Sequence, residues 1–185
     1  GTAEYFDLID EVDLICGTFS KSLASLGGYC GCSHEVAEDI RHNSRPFIFS
    51  ASMTPGCLAA TREALRILKA EPERVSRLNE VAEFMRKCLR ERGIKFADSK
   101  APIIALFTYE QEVTLAVCKR LFEEGVYANP VLPPATPPGQ CLIRTTYTET
   151  HKKEELEEAA DIIAKVFAEF DLIEKEKDNF DLIIL

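Results

Sequence analysis

The sequence predicts an α/β protein, because short apolar segments alternate with longer segments of helical periodicity along its 185 residues. Near the N-terminus, two apolar segments flank a bend of small and hydroxylated residues. Amphipathic helical patterns fill the middle of the chain, and the second half has a βαβ-like order. A hydrophobic content of 46% suffices for a packed core, and the length allows one domain or one and a half.

The first half contains short elements followed by two long helices. Pro55 and Gly56 open the first long helical pattern, and Pro72 interrupts it. A second amphipathic helix follows and ends before Gly93. The short elements predicted before these helices are strands at 12–16 and 28–32, a helix at 35–42 and a strand at 46–50, which is rich in aromatic and β-branched residues.

The second half alternates between strands and helices. Its predicted elements are strands at 102–109, 126–128 and 142–146, a helix at 115–124 closed by Gly125, a proline-rich loop at 130–138 and a last helix capped by Thr150. The tail, residues 171–185, matches no pattern that we can place, and its apolar end at 180–185 is expected either to dock or to fray.

Composition excludes several classes of function. A formal net charge of -9 and a pI near 5.0 argue against nucleic acid or an anionic membrane surface as a partner. No apolar run approaches the length of a membrane span. The seven cysteines are scattered, and Cys30 and Cys32 are too close for the usual zinc spacings. We therefore predict structural, reduced thiols in a cytoplasmic protein, and no metal site.

The most informative motif is GTFSKS at residues 17–22, followed by GGY at 27–29. It mounts Lys21 in a bend of small and hydroxylated residues directly after an apolar segment. A lysine that carries a Schiff base needs a rigid mounting, small neighbours that admit a flat cofactor, and donors for that cofactor's phosphate. This motif can supply all three, and the alternative is an ordinary surface turn with a solvated lysine.

Several separate motifs together resemble the α-oxoamine synthases, which are pyridoxal-phosphate enzymes of the aspartate-aminotransferase fold type. These motifs are DLI at 13–15, GTFSK at 17–21, GGY at 27–29, RPFIFSAS at 45–52, NPV at 129–131, PPATP at 133–137 and LIRT at 142–145. Members of this family condense an amino acid with an acyl-CoA, with loss of CO2 and CoA, and produce an amino ketone. The resemblance runs along nearly the whole chain apart from the tail.

This resemblance implies the C-terminal portion of a fold type I enzyme, with part of the large domain and an α+β small domain. The domains expected from it are a remnant of the cofactor domain at 1–55, connecting helices at 56–93 and the small domain at 94–185. The family places its cofactor aspartate and histidines upstream of the lysine, and no histidine precedes Lys21 here. We therefore expect this segment to be inactive alone.

The resemblance also assigns roles to five residues. Lys21 would hold pyridoxal 5'-phosphate and act as the base at the substrate Cα. Thr18 matches the hydroxyl that contacts the cofactor phosphate, and Ser20 is expected to assist it. Ser50 matches the position that reaches the phosphate of the neighbouring subunit, which implies a homodimer with shared active sites. Arg144 matches the arginine that grips the α-carboxylate of the amino acid, and its alternative is an ion pair with a nearby acid.

The choice of substrate rests on two motifs. The proline-rich segment 133–137 and the lysine motif look closer to serine palmitoyltransferases than to glycine C-acetyltransferase. Serine and a long acyl-CoA are therefore favoured, with glycine and alanine as alternatives. Two other readings stay open at this point. One is another fold type I enzyme, such as an aminotransferase, and the other is a non-catalytic partner subunit, against which the presence of Lys21 argues.

Overall fold

A computed structural model describes residues 1–173 of the chain. The expectation for the apolar end at 180–185 lies outside the described residues. The chain divides into two compact units, Gly1–Pro72 and Glu73–Leu185. The predicted domain boundaries at 55/56 and 93/94 remain predictions.

The first unit is built from a two-stranded hairpin and helices. Its elements are α1 (Thr2–Tyr5), a short 3-10 helix (Ile9–Glu11), β1 (Ile15–Thr18), β2 (Gly28–Gly31), α2 (His34–Asn43), α3 (Arg45–Ile48) and α4 (Pro55–Ala70). The strands β1 and β2 pair antiparallel, with Ile15 opposite Gly31 and Thr18 opposite Gly28. The long helix α4 starts where the sequence predicts it, with Thr54 as its N-cap and Pro55 in the first turn.

The predicted strand at 46–50 is wrong, because the structure has the helix α3 there. Pro46 stands at the start of this helix, where its missing N–H costs nothing because the first amides of a helix have no intrahelical partner. The aromatic and β-branched residues of 46–50 therefore indicate apolar character, but they do not determine an extended backbone.

Over residues 73–173, the second unit packs three helices with a three-stranded sheet. Its elements are α5 (Glu73–Glu91), β3 (Ile103–Tyr109), α6 (Gln111–Glu123), β4 (Asn129–Val131), β5 (Cys141–Thr146) and α7 (Lys153–Glu169). The strand order is β3-β5-β4, and β5 runs antiparallel to both neighbours. The βαβ-like prediction therefore takes a split form, in which β5 lies between two parallel strands joined by α6.

Three details of the second unit differ from the sequence predictions. The helix predicted at 115–124 begins earlier, at Gln111. The strand predicted at 126–128 lies three residues later, at Asn129–Val131. The last helix is not capped by Thr150, because Lys152 is its N-cap residue. There the carboxylate of Glu155 accepts a hydrogen bond of 3.0 Å from the Lys152 N–H, which satisfies a backbone donor at the helix start.

One hydrophobic core forms in the second unit, between the sheet and its helices. Its fully buried side chains include Leu106 on β3, Leu121 on α6, Ile143 on β5 and Phe167 on α7. The burial alternates along β5, so that Ile143 and Thr145 face the core while Arg144 faces solvent. This alternation sets the direction of the arginine that the sequence singles out.

Candidate functional site

The hairpin loop between β1 and β2 fixes the backbone around Lys21. The Phe19 N–H donates to the Gly27 carbonyl at 2.9 Å, and the Ser25 N–H donates to the Phe19 carbonyl at 2.9 Å. The Ala24 N–H donates to the carbonyl of Lys21 itself at 3.0 Å. The Lys21 side chain is nevertheless exposed. The loop therefore presents an exposed amine on a hydrogen-bonded backbone.

Two hydroxyl groups lie side by side next to this lysine. The Oγ1 of Thr18 and the Oγ of Ser20 form a hydrogen bond of 2.8 Å, and the Ser20 N–H donates to Thr18 Oγ1 at 3.2 Å. Thr18 Oγ1 also approaches the Gly27 carbonyl at 3.3 Å as a donor. Both side chains are exposed. The structure therefore brings together three of the five predicted site residues, Thr18, Ser20 and Lys21.

The backbone of this hairpin requires glycine at two adjacent positions. A Cβ at Gly28 would stand 2.7 Å from the Gly17 carbonyl oxygen, so no other residue fits there without a backbone shift. Gly27 has a φ of +117°, a conformation that L side chains rarely adopt, and a Cβ there would meet the sulfur of Met53 at 2.5 Å. The glycine pair is therefore required by the backbone path itself.

Further contacts support the loop from both sides, and sequence reasoning missed them. The rings of Phe19 and Tyr29 stack with their centroids 5.8 Å apart. The Ser25 hydroxyl donates to the Cys57 carbonyl at 2.8 Å, which ties the loop to the first turn of α4. No sequence signal pairs Ser25 with Cys57. The stacking could have been inferred from the hairpin register, because the GTF and GGY motifs lie on opposite strands.

Hydrogen bonds also lower the pKa of the Cys57 thiol in the first turn of α4. The strongest influence is the hydrogen bond with Thr54, and the backbone of Leu26 and the side chain of Ser25 act in the same direction. Together they outweigh burial and lower the pKa of Cys57 below its ordinary value.

Ser50 lies just beyond α3, and its side chain is exposed. Among the described residues, no hydrogen bond joins Ser50 to Thr18 or Ser20. The structure thus places Ser50 outside the hydroxyl pair. The predicted role of Ser50 toward a neighbouring subunit stays a prediction.

Arg144 lies on the central strand β5 of the second unit, with Ala105 opposite it on β3 and Asn129 opposite it on β4. The alternative role expected for Arg144 is an ion pair with a nearby acid. Within residues 1–173 no carboxylate forms an ion pair with Arg144, and its side chain is exposed. Its guanidinium is therefore available to an external anion.

On the face of β5 opposite to Arg144, a chain of hydrogen bonds holds the strand in place. The Thr145 hydroxyl donates to the Ile104 carbonyl at 2.9 Å, and the Tyr147 hydroxyl donates to Thr145 Oγ1 at 2.8 Å. Burial raises the pKa of Tyr147 to about 12, although the hydrogen bond to Thr145 acts in the opposite direction. Sequence reasoning missed this chain, for which the only signal was the alternation of polar and apolar residues along β5.

Residues 1–173 contain neither a candidate metal site nor a candidate membrane span. No group of three or more histidine, cysteine or acidic side chains is arranged to hold a metal ion. None of the helices in this range combines the length and apolarity that crossing a membrane requires.

Comparisons with known proteins agree with the motifs. The sequence model of the family described as aminotransferase class I and II matches residues 1–163. A serine palmitoyltransferase of Bacteroides thetaiotaomicron is 43% identical over 94% of this chain and 44% of its own length. An 8-amino-7-oxononanoate synthase of Symbiobacterium thermophilum is 37% identical over the same shares. The chain thus spans less than half the length of these relatives.

A solved structure of a serine palmitoyltransferase with pyridoxal phosphate matches with a TM-score of 0.88 and 28% identity, over 94% of this chain and 44% of that one. These matches confirm the resemblance predicted from the motifs. They also confirm the predicted fold class, part of a fold type I α/β protein.

Proposed function

Because the chain belongs to the aminotransferase class I and II family, we propose that it is part of a pyridoxal-phosphate-dependent α-oxoamine synthase. The proposed reaction condenses a small amino acid with an acyl-CoA, releases CO2 and CoA, and yields an α-amino ketone. Serine is favoured over glycine and alanine, because identity is higher to a serine palmitoyltransferase than to an 8-amino-7-oxononanoate synthase. The observation that carries the proposal is the exposed Lys21 directly after Ser20, whose hydroxyl is hydrogen-bonded to that of Thr18.

The residues of the hairpin fit pyridoxal phosphate. Lys21 offers an amine for the aldehyde carbon, and Thr18 and Ser20 offer two hydroxyl donors for phosphate oxygens. Gly28 leaves the neighbouring backbone free of side-chain atoms. When it is bound, pyridoxal phosphate supplies an electron-accepting ring that stabilises negative charge at the substrate Cα.

Lys21 has two tasks in this proposal. Its Nζ would hold the cofactor, and the same amine would act as the group that moves a proton at the substrate Cα. The hydrogen bonds of the loop backbone, including the one that the Lys21 carbonyl accepts from Ala24, restrict where this nitrogen can reach. Thr18 and Ser20 orient the phosphate by donating hydrogen bonds to it, so the Thr18–Ser20 hydrogen bond exchanges for bonds to the ligand.

Arg144 binds the α-carboxylate of the amino acid in this proposal. A guanidinium presents two parallel N–H groups to the two carboxylate oxygens, and Arg144 has no competing acid within residues 1–173. The buried partners of Thr145 hold β5 in register, so that Arg144 keeps its outward direction.

We further propose a cytoplasmic homodimer with shared sites, in which Ser50 of one subunit contacts the phosphate bound by the other. The amino acid and the acyl-CoA are its substrates. Because this chain spans 44% of the length of its relatives, we also propose that the 185-residue segment alone has no synthase activity. Detectable turnover by the isolated segment would contradict this part.

The first test traps the cofactor on the full-length protein that contains this segment. The protein is incubated with pyridoxal phosphate, reduced with borohydride, digested and analysed by mass spectrometry. We expect a phosphopyridoxyl group on Lys21. Lys21→Ala should abolish this labelled peptide, whereas Lys69→Ala, which removes an exposed lysine of α4, should leave it unchanged. An unlabelled Lys21 would contradict the enzyme proposal and favour a non-catalytic partner subunit.

The second test separates a synthase from an aminotransferase. Serine labelled in its carboxyl group is supplied either with palmitoyl-CoA or with a 2-oxo acid. A synthase releases labelled CO2 only with the acyl-CoA, whereas an aminotransferase retains the label and transfers the amino group to the oxo acid.

We expect Arg144→Lys to raise the KM for serine more than it lowers kcat, because a lysine offers a point charge in place of a two-pronged donor.

A further inference from the structure

Two cysteines face each other across the hairpin that carries Lys21. Cys16 on β1 and Cys30 on β2 are register partners in the antiparallel pair. Both side chains are exposed. Residues directly opposite in such a pair point to the same face of the sheet, with Cβ atoms about 4.5–5.5 Å apart. The two thiols are thus neighbours because of the strand register, although fourteen positions separate them in the sequence.

The pattern of hydrogen bonds places this pair at a position suited to a disulfide. The Phe19 N–H donates to the Gly27 carbonyl, which marks the 19/27 pair as hydrogen-bonded. Hydrogen-bonded and non-hydrogen-bonded pairs alternate along an antiparallel ladder, so the Cys16/Cys30 pair falls in the non-hydrogen-bonded class, whose Cα atoms are about 4.5 Å apart. That separation lies within the range of about 4.4–6.8 Å found in disulfides.

The position of Cys30 opposite Cys16 also affects the acidity of the Cys16 thiol. A hydrogen bond with Cys30, followed by burial and by the charge of Cys30, raises the pKa of Cys16 above its ordinary value. The thiolate is the attacking species in thiol–disulfide exchange. Exchange at this pair should therefore be faster at alkaline pH than at neutral pH.

The remaining cysteines lack this arrangement. Cys32 follows β2 by one residue, Cys57 lies in the first turn of α4, and Cys88, Cys118 and Cys141 belong to the second unit. In the register of β1 and β2, Cys16 faces Cys30 and no other cysteine. This contrast supplies matched controls within the same chain.

We propose that Cys16 and Cys30 form a reversible disulfide by exchange with a low-molecular-weight disulfide such as oxidised glutathione. One cysteine thiolate attacks a sulfur of the small disulfide, forms a mixed disulfide and releases one small thiolate. The second cysteine thiolate then attacks the protein sulfur of the mixed disulfide and releases the other small thiolate. The two protons lost by the cysteines end on the two released thiols, so the protein is oxidised and the small disulfide is reduced by two electrons.

This cross-link would act on the backbone of the candidate site. Cys16 lies two residues before Thr18 on the same strand, and alternate residues of a strand share a face. A bond between Cys16 and Cys30 would join the two strands at the level just below the paired hydroxyls. It would thereby limit the opening of the hairpin that presents Lys21.

The test maps disulfides on the full-length protein after incubation with oxidised glutathione at alkaline pH. Free thiols are alkylated under denaturing conditions, and the digested protein is analysed by mass spectrometry. We expect the loss of two alkylatable thiols and a linked peptide that joins Cys16 to Cys30, and dithiothreitol should reverse both changes. Cys30→Ser should abolish the link, whereas Cys32→Ser and Cys57→Ser should retain it.

Three outcomes would overturn the proposal. They are complete alkylation of both cysteines after oxidation, a stable glutathione adduct on either one without the internal link, and a link that uses Cys32. Because the wild-type map alone decides among these outcomes, the test does not depend on the folding of the serine variants.

Discussion

The two units differ in what holds them together. In Gly1–Pro72, all of which the structure describes, no apolar side chain is buried, and Thr61 is the one buried residue. The first unit instead exposes large apolar side chains such as those of Phe49, which is 80% exposed, and Leu26, which is 73% exposed. The second unit contains the entire cluster of buried apolar residues.

The proposed cofactor residues Thr18, Ser20 and Lys21 thus lie in the unit without buried apolar side chains, and Arg144 lies in the unit with the packed core. The lysine motif lies in the unit that depends on backbone hydrogen bonds, glycine geometry and a few side-chain contacts such as that of Ser25 with Cys57. The second unit contributes Arg144 from a strand that a packed core fixes in place. Equal substitutions in the two units should therefore have unequal effects on the free energy of unfolding.

The largest expected contrast is between two leucine truncations. Leu106 is fully buried on β3, whereas Leu58 on α4 is 58% exposed. Leu106→Ala removes buried methyl groups and leaves a cavity, so we expect a loss of about 2–5 kcal/mol in the free energy of unfolding of the second unit. Leu58→Ala should change stability by less than about 0.5 kcal/mol. Urea denaturation of the 185-residue chain measures both, and equal losses would contradict the contrast.

A smaller effect should appear in the alkaline stability of the second unit. Burial raises the pKa of Tyr147 from 10.0 to about 12, so the folded state retains a phenolic proton that the unfolded state loses. Stability from this group is therefore fully present below pH 10 and falls as the pH rises to about 12, by about 2–3 kcal/mol.

Urea denaturation at a series of alkaline pH values measures this loss. Tyr147→Phe should flatten the decline of the free energy of unfolding between about pH 10 and pH 12. The matched control is Tyr127→Phe, which changes a largely exposed tyrosine of the same unit and should keep the slope of the wild type. A steep decline retained in Tyr147→Phe would show that other groups cause it.

The smallest of the three effects tests the hairpin of the first unit. A Cβ at Gly28 would stand 2.7 Å from a backbone oxygen, whereas a Cβ at Gly31 would stand at an ordinary 3.7 Å from one. We expect Gly28→Ala to destabilise the hairpin by about 1–3 kcal/mol and Gly31→Ala to be nearly neutral. Amide hydrogen exchange of β1 and β2 reports this local opening. Similar protection in both variants would show that the strands adjust to the added carbon.

Sequence reasoning succeeded where one local signal determines the backbone. Pro55 and Gly56 mark the start of α4, and a stripe of apolar residues predicts α5. It failed at residues 46–50, where apolar composition does not distinguish a strand from a short helix that begins at Pro46. The prediction that Thr150 caps α7 also failed. The carboxylate at the helix start belongs to Glu155, three residues after Lys152, and the sequence alone does not distinguish Thr150 from Lys152 as the N-cap.

The candidate site shows a similar division. The motif identified Thr18, Ser20 and Lys21, because residues close in sequence share a loop and small residues permit its path. It could not supply the pairing of Ser25 with Cys57 or of Tyr147 with Thr145. The first pairing depends on how the loop meets a helix start 32 positions away. The second depends on which face of β5 turns to the core.

Gly27 also constrains how this sequence can change by inheritance. Every missense mutation of a glycine codon adds at least one carbon beyond Cα, and at Gly27 that carbon meets both an unfavourable φ of +117° and the sulfur of Met53. A substitution at Gly27 is therefore expected to be unfavourable unless Met53 changes first. Even then, the positive φ disfavours any residue that has a Cβ. In a library of random variants, substitutions at Gly27 should be among the least often tolerated in the lysine loop.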